Sequence, residues 1–158
     1  MKKPSIYIET SVVSYLVAEP SINIVTAARQ ALTRQWWNER RQDYDLYISE
    51  FVVSEAASGG PLMANRRLAA LAGLTEIELT EPATDLARML VEEGPLPARA
   101  ALDALHIAIA VAGGMEYLLT WNFKHLANAT IRNQIERKCR SGGFEPPIIC
   151  TPEELSGE

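Results

Sequence analysis

The chain has 158 residues, 47% hydrophobic and 22% charged, with a formal net charge of −5 at pH 7. That length suits a single domain, residues 1–158, able to bury a core without staples, and the composition excludes a disordered chain. The negative balance argues against a protein that grips nucleic-acid phosphates over its whole surface. The longest apolar run, Ala104 to Val111, is far too short to span a bilayer.

Met1 to Glu9 carries basic residues with no long apolar stretch behind them, so no signal peptide is expected. Ser5 to Ile8 is a short β-rich run. Thr10 and Ser11 then read as N-caps for a helix beginning near Val12. After Pro20 and Ser21, the apolar positions Ile24, Ala28, Ala31, Leu32 and Trp36 recur at helical spacing up to about Arg41. Leu46 to Ser49 predicts a second strand, with Ser49 capping a helix through Phe51 to Ala57. The Ser58 to Pro61 break precedes a helix over Leu62 to Ala72. Thr75 to Leu79 alternates as a partly exposed edge strand would, and Pro82 opens the next helix in its first turn. Gly94 to Pro97 interrupts again before the very apolar helix Ala100 to Val111, which Gly113 and Gly114 terminate. Tyr117 to Thr120 is a strand, Ala127 to Arg140 a helix with Ile131, Ile135 and Cys139 on one stripe, and Pro147 to Cys150 a last strand. Lys124 and His125 fall near the start of a short helix in this reading.

Strands alternating with helices imply right-handed crossovers, and so a three-layer α/β/α sandwich around a mainly parallel, Rossmann-like sheet. Ligands in such folds bind beyond the carboxyl ends of the strands. Glu9 and Asn122 both fall on that edge, just past the first strand and the Tyr117 strand.

Asp103 is the most informative residue. It lies within the apolar Ala100 to Val111 helix, where an ionised carboxylate costs several kcal/mol unless it is paired or bound to a cation. The helix offers no basic partner; elsewhere the chain offers more acids, Glu9 and Glu55. Several carboxylates converging on one point call for a divalent metal, without which their mutual repulsion would raise at least one pKa. His106, one turn beyond Asp103, stays outside the expected metal site, because a core histidine is usually satisfied by hydrogen bonds and hard Mg²⁺ favours oxygen. Cys139 and Cys150 lack metal-like spacing and read as buried thiols in a reducing, cytoplasmic setting. There is no P-loop, no G-x-G-x-x-G and no G-x-S-x-G elbow, which disfavours ATPases, dinucleotide enzymes and triad hydrolases.

Four fragments taken together, Tyr7 to Ser11 (YIETS), Val52 to Ala57 (VVSEAA), Asp103 to Ala110 (DALHIAIA) and Leu118 to Asn122 (LLTWN), resemble the PIN domain in its VapC-like toxin branch, in order and spacing along almost the whole chain. The resemblance implies a Mg²⁺- or Mn²⁺-dependent ribonuclease, often the toxin half of a toxin–antitoxin pair, that leaves a 3′-hydroxyl and a 5′-phosphate. It matches Glu9, Glu55 and Asp103 to the family's first three acids and Asn122 to the fourth position, with Thr10 and Ser11 supporting the metal site. Two departures stand out: Glu9 where the family usually has aspartate, and Asn122 where many members have a fourth acid. Mg²⁺ demands near-ideal octahedral geometry, so the extra methylene of Glu9 retunes or weakens the site.

Trp121 reads either as stacking on a base or as packing under its loop, and Lys124 and His125 either as phosphate contacts or as simply exposed residues. Paired basic residues, Arg40 with Arg41 and Arg66 with Arg67, and the run from Arg132 to Arg140, can line a rim for RNA. An antitoxin or a second copy of the chain is implied by the resemblance, and Tyr15, Leu16, Trp36 and Trp37 read either as an apolar platform for it or as part of the core. Two other functions compete: a PIN module that binds RNA or protein without cutting, and a small-molecule phosphatase. The phosphatase is the weaker, because such enzymes place an aspartate after the first strand and another two residues on, where this chain has Glu9 and Ser11.

Overall fold

The computed structural model describes residues 2–157. The β-rich run after Pro4 forms β1 (Ser5–Ile8), and the chain continues through α1 (Thr10–Val17) and α2 (Ile24–Glu39) to β2 (Asp45–Ile48). Next come α3 (Glu50–Ala56), α4 (Pro61–Leu71) and β3 (Thr75–Glu76), followed by α5 (Glu81–Glu92) and α6 (Ala101–Ala112). The last elements are β4 (Tyr117–Leu119), α7 (Ala129–Ser141) and β5 (Ile148–Cys150).

All strand pairs are parallel, in the order β3-β2-β1-β4-β5. After β1 the chain builds outward to β2 and β3, then returns across β1 to lay down β4 and β5. With right-handed crossovers, that reversal puts the two sets of connecting helices on opposite faces. The packing agrees: α1 touches α2, α3 and α4, whereas α5 packs on α6 and α7. The result is the expected α/β/α sandwich.

The same reversal opens a crevice between the carboxyl ends of β1 and β4, the switch point where doubly wound folds bind ligands. Ile8 pairs with Leu119, and the Glu9 N–H donates to the Leu119 carbonyl at 3.1 Å. Beneath the crevice, Ile6, Tyr7, Ile8, Leu118 and Leu119 are fully buried, as strands covered on both faces should be. α6 buries Ala104, His106, Ile107, Ala108, Ile109, Ala110 and Val111, so it presents little but core. Gly114, at φ +70, ends it in the left-handed region that glycine tolerates.

Several local expectations need correction. α1 begins at Thr10 rather than near Val12, because the Glu9 side chain is itself the N-cap, accepting from the Ser11 N–H at 3.1 Å. The 75–79 edge strand shrinks to Thr75–Glu76. Lys124 and His125 lie in a turn, not a helix. The expected apolar platform is not one surface: Trp36 and Trp37 are 2% and 8% exposed, while Tyr15 and Leu16 are half-buried against the core. The most exposed large apolar side chains lie instead at Ile22 and Ile24, around the start of α2, at Leu62 in α4 and at Ile148 in β5, with Val25, Phe123 and Leu102 less so. Among the described residues no helix is long and apolar enough to cross a membrane.

Candidate metal centre

Glu9 leaves the end of β1 with 5% of its surface exposed. Its Oε1 accepts from two hydroxyls, Ser11 Oγ and Thr120 Oγ1 (2.6 Å), and its Oε2 from the Ser11 N–H. Each hydroxyl in turn accepts a backbone N–H from the segment after β4: Trp121 onto Ser11 at 2.8 Å, Asn122 onto Thr120 at 2.9 Å. The first acid is thereby fixed by the element that forms the other wall of the crevice.

Glu55, near the end of α3, is held from the other side. Its Oε1 accepts from the Thr10 hydroxyl at 2.7 Å and pairs with His106 Nε2 at 2.6 Å. Beyond His106, Nδ1 lies 2.7 Å from the Tyr7 hydroxyl, which lies 2.6 Å from Ser49 Oγ. A carboxylate only accepts, so Nε2 carries the proton; in a neutral imidazole Nδ1 then accepts from Tyr7. This buried chain joins β1, the start of α3, α6 and α1. Burial pushes the Glu55 carboxyl up, but the hydrogen bonds from His106 and Thr10 outweigh it and hold the carboxyl below its ordinary value. At Glu55, then, the rise expected from crowded acids is reversed by its partners. Burial also raises the Tyr7 phenol far above its usual range.

Oxygens of Glu9 and Glu55 and a ring nitrogen of His106 lie within 4.8 Å of one another. Sequence reasoning left His106 outside the metal site as a core histidine satisfied by hydrogen bonds, and the structure brings one of its nitrogens close to both glutamates. Even so, its Nε2 proton points at Glu55 and its Nδ1 at Tyr7, leaving no free lone pair for a cation. His106 positions Glu55.

Asp103 sits apart from that trio, half-buried in the first turn of α6. Its Oδ1 accepts from Asn122 Nδ2 at 3.2 Å and its Oδ2 lies 2.9 Å from His125 Nδ1. The structure thus groups Glu9 with Glu55 and His106, and Asp103 with Asn122 and His125; Thr120 and Asn122 link the two groups. Asn122 also organises the turn, its Oδ1 accepting from the Lys124 and His125 N–H groups at 3.1 Å each.

The residues suit a divalent cation. Among the described residues no Lys or Arg nitrogen lies within 4 Å of Glu9, Glu55 or Asp103. Their available donors are oxygens, the set that hard Mg²⁺ or Mn²⁺ prefers. Lys124 is exposed, as a phosphate contact would be. Of the two readings of Trp121 the structure shows packing under the loop: it is 4% exposed, with its indole N–H on Thr33 Oγ1 at 2.8 Å. The two cysteines are free and buried, which raises their thiol pKa values to about 11 for Cys139 and about 12 for Cys150; both are inert at neutral pH.

Neither a protein-family model nor a curated protein sequence matches the chain. Solved structures do. VapBC2 from Rickettsia felis, bound to a DNA fragment from its promoter, superposes with a TM-score of 0.58 at 16% identity, over 93% of this chain and 98% of that one. The chain shares its fold with this VapBC2 structure. VapC20 from Mycobacterium tuberculosis, a sarcin–ricin loop cleaving toxin, matches with a TM-score of 0.51 at 16% identity, over 72% of this chain and 86% of that one.

Proposed function

We propose that the chain is a metal-dependent endoribonuclease of the VapC toxin type, hydrolysing RNA phosphodiester bonds with Mg²⁺ or Mn²⁺. The observation that carries this reading is the convergence of Glu9 and Glu55 at the switch-point crevice, with Asp103 linked to them through Asn122 and Thr120 and, among the described residues, no Lys or Arg nitrogen within 4 Å of the three. Glu9, Glu55 and Asp103 are the metal ligands, and Asn122 orients Asp103. When bound, the cation supplies an activated water and offsets the charge that develops on phosphorus. The protein's task is to hold the oxygens. Ser11 and Thr120 fix Glu9, Thr10 and His106 fix Glu55, and Lys124 with the outer nitrogen of His125 meets RNA phosphates.

In this reading residues 1–158 form one domain that works in the cytoplasm and is restrained by an antitoxin or paired with a second copy. The R. felis neighbour is VapBC2, which supports a protein partner.

Binding without cleavage is the competing reading, favoured by one observation: Asp103 is tied to His125 rather than drawn in with the two glutamates. One experiment separates them. Purified protein is incubated with labelled RNA and Mn²⁺, then with chelator, alongside Asp103→Asn and Glu9→Gln. Chelator-sensitive cleavage lost in both variants is the expected result. RNA that is bound but stays whole in Mn²⁺ refutes the nuclease, and turnover of a small phosphate ester with RNA untouched points to a phosphatase.

A further inference from the structure

Phe123 is an exposed aromatic residue immediately after Asn122, whose amide touches Asp103. It is 43% exposed, on a turn made rigid by the Asn122 side chain, which grips the next two N–H groups, and by the Asn122 carbonyl, which accepts from Leu126 and Ala127. The Arg29 guanidinium of α2 stacks on the Phe123 ring with its carbon 4.6 Å from the centroid, and lies 5.8 Å from the Trp121 ring behind it. Among the described residues no carboxylate lies within 4 Å of Arg29. Trp121 in turn rests against Phe123 and Tyr15, with centroids 6.0 and 5.8 Å away, and is anchored by Thr33. An aromatic surface bearing a cation with no carboxylate partner among the described residues, backed by a fixed stack, therefore directly follows the asparagine that touches Asp103.

We propose that Phe123 and Arg29 form a nucleotide subsite for single-stranded RNA, in which the Phe123 ring stacks on a base next to the scissile phosphate and Arg29 pairs with the adjoining backbone phosphate. Rings stack on any base, because each has a π-face, and a guanidinium supplies the charge that the backbone demands. An apolar protein segment fits this surface worse, since it would bury Arg29 without a counter-charge. The subsite rests on the ribonuclease reading and assigns its substrate a single-stranded form. Phe123 takes the role that sequence reasoning gave to Trp121; Trp121 is the buried support beneath it.

The test uses the full chain and a short fluorescein-labelled single-stranded RNA. Anisotropy in chelator gives the dissociation constant, and cleavage in Mn²⁺ gives KM and kcat. Phe123→Ala is expected to weaken binding on the order of 5- to 150-fold, the range one aromatic–base stack represents, and to raise KM more than it lowers kcat. Phe123→Trp restores binding, and Arg29→Gln lowers the slope of log affinity against log salt by about 0.7. Circular dichroism and melting temperature verify that each variant folds. Variants that bind and cleave as wild type does, a loss that tryptophan fails to rescue, or a wild type that binds no RNA overturns the subsite. The two readings fail separately: cleavage unaffected by Phe123→Ala sinks the subsite alone, and Phe123-dependent binding without cleavage sinks the nuclease alone.

Discussion

Replacing Tyr7 by Phe tests the buried hydrogen-bond chain that positions Glu55. The ring stays and only the hydroxyl leaves, at a position 0% exposed whose oxygen has two partners, Ser49 at 2.6 Å and His106 at 2.7 Å. Ser49 keeps the Val52 N–H at 3.4 Å. His106 Nδ1 keeps nothing, because the ring is fully buried and its proton is committed to Glu55 on the opposite nitrogen. An acceptor stranded this way costs about 1–3 kcal/mol. For a chain of this size that lowers the melting temperature by roughly 2–4 °C per kcal/mol, and it moves the urea midpoint by about 1 M at an ordinary slope. Urea titration followed by tryptophan fluorescence reads the shift directly. A midpoint unchanged at an unchanged slope would refute the reasoning, since Nδ1 would then have no need of Tyr7.

His106→Ala removes the donor that orients Glu55, and outer partners of metal ligands typically contribute about 10–100-fold in affinity; a calorimetric Mn²⁺ titration should weaken by that factor, and an unchanged constant would show that Glu55 needs no support. Because Glu55 is held below its ordinary value of 4.5 in the folded protein, its partnership stabilises above that pH and is lost as the pH falls through the lower folded value. The stability gap between wild type and Glu55→Gln, measured in urea at about pH 6 and about pH 3, should therefore narrow at the acid end; a constant or wider gap contradicts the assignment. Trp121→Phe deletes the indole N–H but leaves Thr33 its bond to the Arg29 carbonyl. The expected cost is about 1 kcal/mol in thermal melting, and a neutral result would show that the N–H carries no stability.

The strand and helix order was legible because Ser5 to Ile8, Leu46 to Ser49 and Tyr117 to Thr120 alternate with helical spacing, which admits few topologies. Asp103 was legible as the one acid in an apolar helix. The helix start was misplaced because a glutamate preceding Thr-Ser reads as a charge near a helix end, while the fold bends its carboxylate back to cap Ser11. His106 was legible as a core histidine satisfied by hydrogen bonds, and packing beneath its loop was one of two readings of Trp121; their partners were not legible, because their polar atoms face residues far away in sequence, Glu55 and Thr33, which no local pattern announces. The division of the acids into two linked groups depends on Thr120 and His125 rotamers, which spacing cannot encode.

Thr120 closes the hydrogen bonding of Glu9 across a separation of 111 residues, and Tyr7 meets His106 across 99. Contacts this distant form late, after the long intervening loop has been drawn together. On the ribosome Glu9 is made well before Thr120, and no fragment that stops short of residue 120 can lock that acid in place. Aborted translation products of this gene should therefore lack an assembled pocket, whatever the completed molecule does.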